Sequence, residues 1–193
     1  VIVPMLFIVL QRETGSALVY LSFFRMFYRV GMPGSVLFTG VSMVIYFVVG
    51  IRYEETMLFD TPSSVGKFVV LLLVQIFTAG MVYVYCKAKH EAWSILIYGL
   101  SITLLALLFS EYVIPFDVVW VQVIFTAALA LWLLWNGLGS RLKNYYYIFL
   151  FTLGSVAFFY SADYVLNNVM EPHQRVRINV LLGLDEDLAG AGY

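Results

Sequence analysis

Long apolar runs follow one another along almost the whole chain, broken only by short polar joints, and this spacing limits the fold more than any single motif. The runs occupy residues 1–10, 16–30, 35–51, 65–86, 93–113, 118–135 and 145 to about 162. A helix needs about 20 apolar residues to cross the hydrocarbon layer, so the first run counts as a truncated span and six candidate spans follow it. Several lie at or just below that length, and tilt, flanking residues and burial in a bundle make up the difference. The runs lack the period-two alternation of barrel strands, and a backbone exposed to lipid must satisfy its hydrogen bonds internally. The expected fold is therefore all-α, a polytopic transmembrane helical bundle over residues 1–170, with residues 171–193 a separate polar tail.

Composition agrees. Hydrophobic residues make up 62% of the chain and charged residues 12%, and the mean hydropathy is +0.90; a soluble domain is about half apolar and a quarter charged. Membrane lipid is the expected surrounding. A formal net charge of -1 leaves no basic excess for a phosphate backbone, which excludes a nucleic-acid partner. Cys86 is the single cysteine, so neither an internal disulfide nor a metal site with several cysteine ligands can form; it reads as a small apolar residue at a helix end. The chain begins at Val1 with no charged region of the kind that precedes a signal peptide, and it reads as an internal piece of a longer protein.

Basic residues at the joints set the expected orientation. Arg25 with Arg29, Lys87 with Lys89, and Arg141 with Lys143 fall at every second joint, which places "RMFYRVGMPGS", "CKAKHEAW" and "GLGSRLKN" in the cytoplasm. The alternate joints, "QRETG", "IRYEETMLFDTPSSVGK" and "SEYVIPFD", are rich in Glu and Asp with only scattered Arg12, Arg52 and Lys67, and become the outer ones. The last span then runs outward, and residues 171–193 emerge on the extracytoplasmic side. Tyr145, Tyr146 and Tyr147, with Trp93, Trp120 and Trp135, lie near span ends and read as an interfacial aromatic belt. Gly154, Ala157 and Ser161 share a helix face that would admit a close neighbour.

Few residues offer chemistry. Gln11, Arg12, Glu13 and Thr14 form an outer joint with a tight "ETGSA" turn, where Glu13 is either a helix-capping acid or a functional carboxylate. Asp163, near the outer end of the last span, is either interfacial or aimed into the bundle. Arg25 sits one turn from Arg29 and can snorkel to the interface. In the tail, Arg175 and Arg177 could clamp a phosphate or carboxylate, while Val176, Val180, Leu181 and Leu184 share one face of a short surface helix. A solvated flank to the last span is the alternative. His173 has no second histidine at ligand spacing, since His90 lies on the opposite side of the membrane.

Two stretches together resemble a family. "PMLFIVLQRETGSALVYLS" is similar to the helix, Gln-Pro-acid-x-Gly turn and next helix of the RodA/FtsW (SEDS) proteins of bacterial cell-wall synthesis. "HQRVRINVLLGLDEDLAGAGY" resembles the start of that family's large extracytoplasmic loop, where Gln-Arg-x-Arg precedes an acidic stretch and Gly-x-Gly-Tyr. The loop is the more specific match and favours the RodA branch. The match covers about the first forty and the last twenty-five residues. Four further spans stand where the family usually has none, an even number that keeps the loop outside. Arg12 replaces the usual proline, so carry-over reaches Gln11, Glu13 and Gly15 and leaves Arg12 out.

The resemblance implies a RodA-like peptidoglycan glycosyltransferase of the bacterial plasma membrane that polymerises lipid II during cell elongation and cell-shape maintenance. It implies a class B penicillin-binding transpeptidase as partner, with Gln11, Glu13, Arg175 and Arg177 at the substrate and a divalent cation as a compatible helper. The family's catalytic acid belongs to a His-Thr-Asp-Phe-like motif beyond Tyr193, so this piece is expected to be inactive alone. The rival reading is a polytopic transporter or flippase of a lipid-linked or small solute, which predicts repeats and polar groups near the membrane midplane. A non-catalytic scaffold is the third reading, for the four intervening spans.

Overall fold

The computed structural model describes residues 31, 33–54, 56–58, 61–139, 143–165 and 168. They form α1 (Gly34–Arg52), α2 (Val65–Met81) continued by a π-helical turn (Val82–Cys86), α3 (Lys89–Tyr112), α4 (Val118–Gly139) and α5 (Lys143–Tyr164). All five are long and apolar enough to cross a membrane, and the protein is a multi-pass all-α membrane protein. The runs at residues 1–10 and 16–30 lie outside the described residues. The chain divides into two compact units, Val1–Ser42 and Met43–Tyr193. In the first, the Thr39 and Ser42 hydroxyls donate to the carbonyls of Ser35 and Phe38, four residues back, which hides their polarity within the helix itself.

The second unit, from Met43 onward, is a bundle whose directions are set by named contacts. Thr78 on α2 meets Thr152 on α5 at 2.9 Å, and Lys67 near the start of α2 pairs with Asp163 near the end of α5 at 3.2 Å. These two helices are antiparallel. Gln75 reaches Thr126 on α4, and Ser63 just before α2 accepts the Val118 N–H at the start of α4 at 2.8 Å, so α2 and α4 run in the same direction. Between α1, α2 and α5 the buried core is Tyr46, Val70, Val74 and Phe159, flanked by Val49, Leu73, Phe77 and Val156. In lipid such packing, rather than release of water, holds helices together.

Backbone hydrogen bonds draw together the described residues of the joint between α1 and α2. Leu58 N–H donates to Ser63 O, Val65 N–H to Thr56 O and Gly66 N–H to Tyr53 O, all within 2.9 Å. Gly66 permits this because a Cβ there would collide with the Gly50 and Tyr53 carbonyls. At the same end, Asp117 Oδ1 accepts the Val119 N–H at 3.0 Å, capping α4. Ser110 Oγ donates to Phe116 O and accepts the Phe116 N–H. At the other end, Lys87 adopts the left-handed conformation with φ 54° and stops the π turn. The π geometry leaves the Tyr85 carbonyl to an outside donor, and Asn144 Nδ2 supplies it at 2.8 Å.

Three expectations need correction. The fifth and sixth runs understate their helices: α3 starts at Lys89 rather than Trp93, and α4 continues to Gly139 rather than ending at Trp135. Polar residues of a first turn remain helical, and Glu91 suits the N-terminal dipole of α3. Tyr145 is not a belt residue, since it is 5% exposed and packs edge-on to Trp132; Tyr146 and Tyr147 are exposed, as are Trp93, Trp120 and Trp135. The Gly154, Ala157 and Ser161 face is not the packing face of α5. Ala157 and Ser161 are exposed, and a Cβ on Gly154 would meet nothing. Ile148, Thr152, Ser155 and Phe159 point inward instead. Helical spacing alone offers both stripes; the larger and hydrogen-bonding one takes the interior.

Candidate functional site

Gln11, Glu13, Arg175 and Arg177, together with Gly15, Arg25, Arg29 and His173, lie outside the described residues. Of the residues weighed from sequence, Asp163 is described. Its carboxylate is paired with Lys67, and their side chains are 19% and 34% exposed, at the level where α2 begins and α5 ends. That is an interfacial ion pair. Among the described residues no group of three or more His, Cys, Asp or Glu side chains is placed to hold a metal ion.

Instead, the bundle carries a polar interior. Gln75, Thr78, Gln122, Thr126, Thr152 and Ser155 are all buried, on α2, α4 and α5. Gln75 Nε2 donates to Thr126 Oγ1 at 3.2 Å, and Thr126 in turn donates to Gln122 O at 2.7 Å. Thr152 bonds both Thr78 and Ile148 O. Gln75 is the eleventh residue of the 22-residue stretch 65–86, so this ladder sits near the middle of the span. Polar groups are therefore not confined to the ends of the spans. The signal was present in the sequence: two glutamines inside apolar runs, each followed at helical spacing by a threonine, and Thr152 followed three residues on by Ser155. All six side chains are uncharged, and hydrogen bonds of this kind act first as glue between membrane helices.

Two members of the ladder, Gln122 and Ser155, carry buried polar atoms without a partner among the described residues. Among the described residues neither Gln122 Nε2 nor Gln122 Oε1 has a hydrogen-bond partner, and the residue is 1% exposed. A buried unpaired polar group costs about 1–3 kcal/mol. Gln122→Met keeps the volume and removes both orphaned atoms, so it is expected to raise stability by about 1 kcal/mol or more, read by thermal unfolding of the purified protein in detergent. A fall in stability would mean that water bonds the amide inside the bundle.

A second polar feature lies at the basic end. Glu91 in the first turn of α3 accepts a hydrogen bond from Tyr145 Oη on α5, and Tyr145 packs against Trp132 on α4. Glu91 thereby ties three helices together at the mouth of a groove of about 370 Å³ between α3 and α4. Ile95, Phe125, Ala128, Leu129 and Trp132 give the groove apolar walls, and His90, Glu91 and Ser94 give it one polar end. Its volume falls within the roughly 300–1,000 Å³ of ligand pockets. Sequence reading placed Glu91 in a polar joint, and nothing in its neighbours signalled the contact with Tyr145, 54 residues away.

No family model matches the chain, and no curated protein and no solved structure matches it.

Proposed function

We propose that the chain is part of a RodA-like peptidoglycan glycosyltransferase that polymerises lipid II at the outer face of the bacterial plasma membrane. The observation that carries this reading is the tail "HQRVRINVLLGLDEDLAGAGY", paired with the "QRETG" turn near the other end. In such a reaction the acceptor sugar hydroxyl attacks the anomeric carbon of a donor whose leaving group is undecaprenyl diphosphate. A carboxylate takes the hydroxyl proton, and one displacement inverts the anomeric centre. Arg175 and Arg177 neutralise the departing diphosphate. A class B transpeptidase would crosslink the strands.

The arrangement of the bundle supports the reading in one respect. The helices α2 to α5 are even in number and alternate in direction, with Lys87, Lys89 and Lys143 beside Glu91 at one end, and Glu54, Glu111, Asp117 and Asp163 beside Arg52 and Lys67 at the other. Inserted between a cytoplasmic joint and an outer loop, four such helices leave the side of the loop unchanged. The mid-span ladder of Gln75, Thr78, Gln122, Thr126, Thr152 and Ser155 favours the second reading, a transporter or flippase. One assay separates the two. The full-length protein in proteoliposomes, given lipid II, is expected to yield glycan polymer; lipid II crossing the bilayer with no polymer formed would favour the flippase.

A further inference from the structure

We infer that the groove between α3 and α4 is a binding site for an aminophospholipid of the phosphatidylethanolamine type, with the ammonium on Glu91 and one acyl chain along the apolar walls. This inference goes beyond the transferase reading and does not depend on it. The groove opens sideways: Tyr98 and Trp132 on its rim are 64% and 36% exposed. The flank of a spanning helix faces lipid, so what enters from that side is lipid. From Glu91 to Tyr98 the groove runs seven residues along α3, about 10 Å at 1.5 Å per residue, from the helix end towards the hydrocarbon core. An acyl chain hanging from a headgroup at the interface follows that path.

The polar end selects the headgroup. Tyr145 occupies Glu91 Oε2, and among the described residues Oε1 has no protein donor. Ser94 donates its hydroxyl proton to His90 O at 2.9 Å, which leaves the oxygen's lone pairs free to accept. A primary ammonium brings N–H donors for both oxygens, and a charge-assisted bond to a carboxylate is about twice as strong as a neutral one. The phosphate of the same lipid finds a cation two residues away, at the exposed Lys89. A headgroup carrying only negative charge would meet the Glu91 carboxylate with repulsion. A quaternary ammonium has no N–H to donate.

The test is lipid retention by the purified full chain, exchanged into micelles containing equal amounts of phosphatidylethanolamine, phosphatidylglycerol and phosphatidylcholine and read by native mass spectrometry. Phosphatidylethanolamine is expected to be retained about tenfold over each of the others, the ratio that one extra charge-assisted hydrogen bond gives. Glu91→Gln keeps an acceptor for Tyr145 and should bring phosphatidylethanolamine down to the level of phosphatidylcholine. Ala128→Trp fills the groove and should lower retention of phosphatidylethanolamine in a protein whose helix content is unchanged. Equal retention of all three lipids, a preference for phosphatidylglycerol, or an unaltered preference in Glu91→Gln would overturn the assignment.

Discussion

Replacing Gly66 by leucine is expected to destroy the bundle. A Cβ at this position would collide with the backbone carbonyls of Gly50 and Tyr53, where α1 ends and α2 begins, and backbone cannot swing away as a flexible side chain can. Overpacking of a well-fitted interior costs about 1–3 kcal/mol when side chains can adjust. At Gly66 the chain itself must move, and the Gly66 N–H bond to Tyr53 O would break with it. We expect Gly66→Ala to cost more than about 3 kcal/mol, and Gly66→Leu to cost more still and to leave no monodisperse protein after detergent extraction. Gly80 is the control, since a Cβ there meets nothing within 4 Å. Gly80→Ala should be neutral or gain a little, because alanine is favoured over glycine in helices by about 1 kcal/mol. Thermal loss of the helical circular-dichroism signal, read on all three variants, checks the order.

The second large effect concerns the tail. If Arg175 and Arg177 hold the leaving diphosphate, the double change to alanine in the full-length enzyme removes donors aimed at charge that develops in the transition state. Loss of one such donor typically costs 10²–10³ in rate. Lipid II polymerisation by the double variant is expected to fall by at least about a hundredfold, with protein yield and helix content unchanged. Arg-to-Lys replacements should recover part of the rate, because lysine keeps the charge and loses the planar fork. Unchanged polymerisation in the alanine variant would remove both arginines from the site.

The two predictions rest on different parts of the sequence, and those parts differ in how much they disclose. Spans are legible because the bilayer imposes a length and an apolar composition on every crossing; the runs at 35–51, 65–86, 93–113, 118–135 and 145–162 each contain most of a described helix. Helix ends are less legible, since the chain at Lys89, His90 and Glu91 is polar yet already helical. Which face turns inward is harder still. Gly154, Ala157 and Ser161 satisfy the spacing rule as well as Thr152, Ser155 and Phe159 do, and only the partners across the bundle choose between them. Thr152 finds Thr78, and Phe159 joins the Tyr46 core. Long-range pairs such as Glu91 with Tyr145 and Gln75 with Thr126 are set by packing between helices and leave no local trace. The candidate substrate residues were found by the opposite route, from motif resemblance at the two ends of the chain.

Sidedness joins the bundle to the tail, and it can be measured directly. In a Cys86→Ser background, single cysteines are introduced as Ala88→Cys between α2 and α3, Ile114→Cys between α3 and α4, and Asn179→Cys in the tail, each in the full-length protein. Intact cells with a permeabilised outer layer are then treated with a membrane-impermeant maleimide. Labelling is expected at positions 114 and 179 from outside, and at 88 only after the plasma membrane is opened. Labelling of 88 and 179 from the same side would contradict this sidedness, because the tail could not then be the start of an extracytoplasmic catalytic loop.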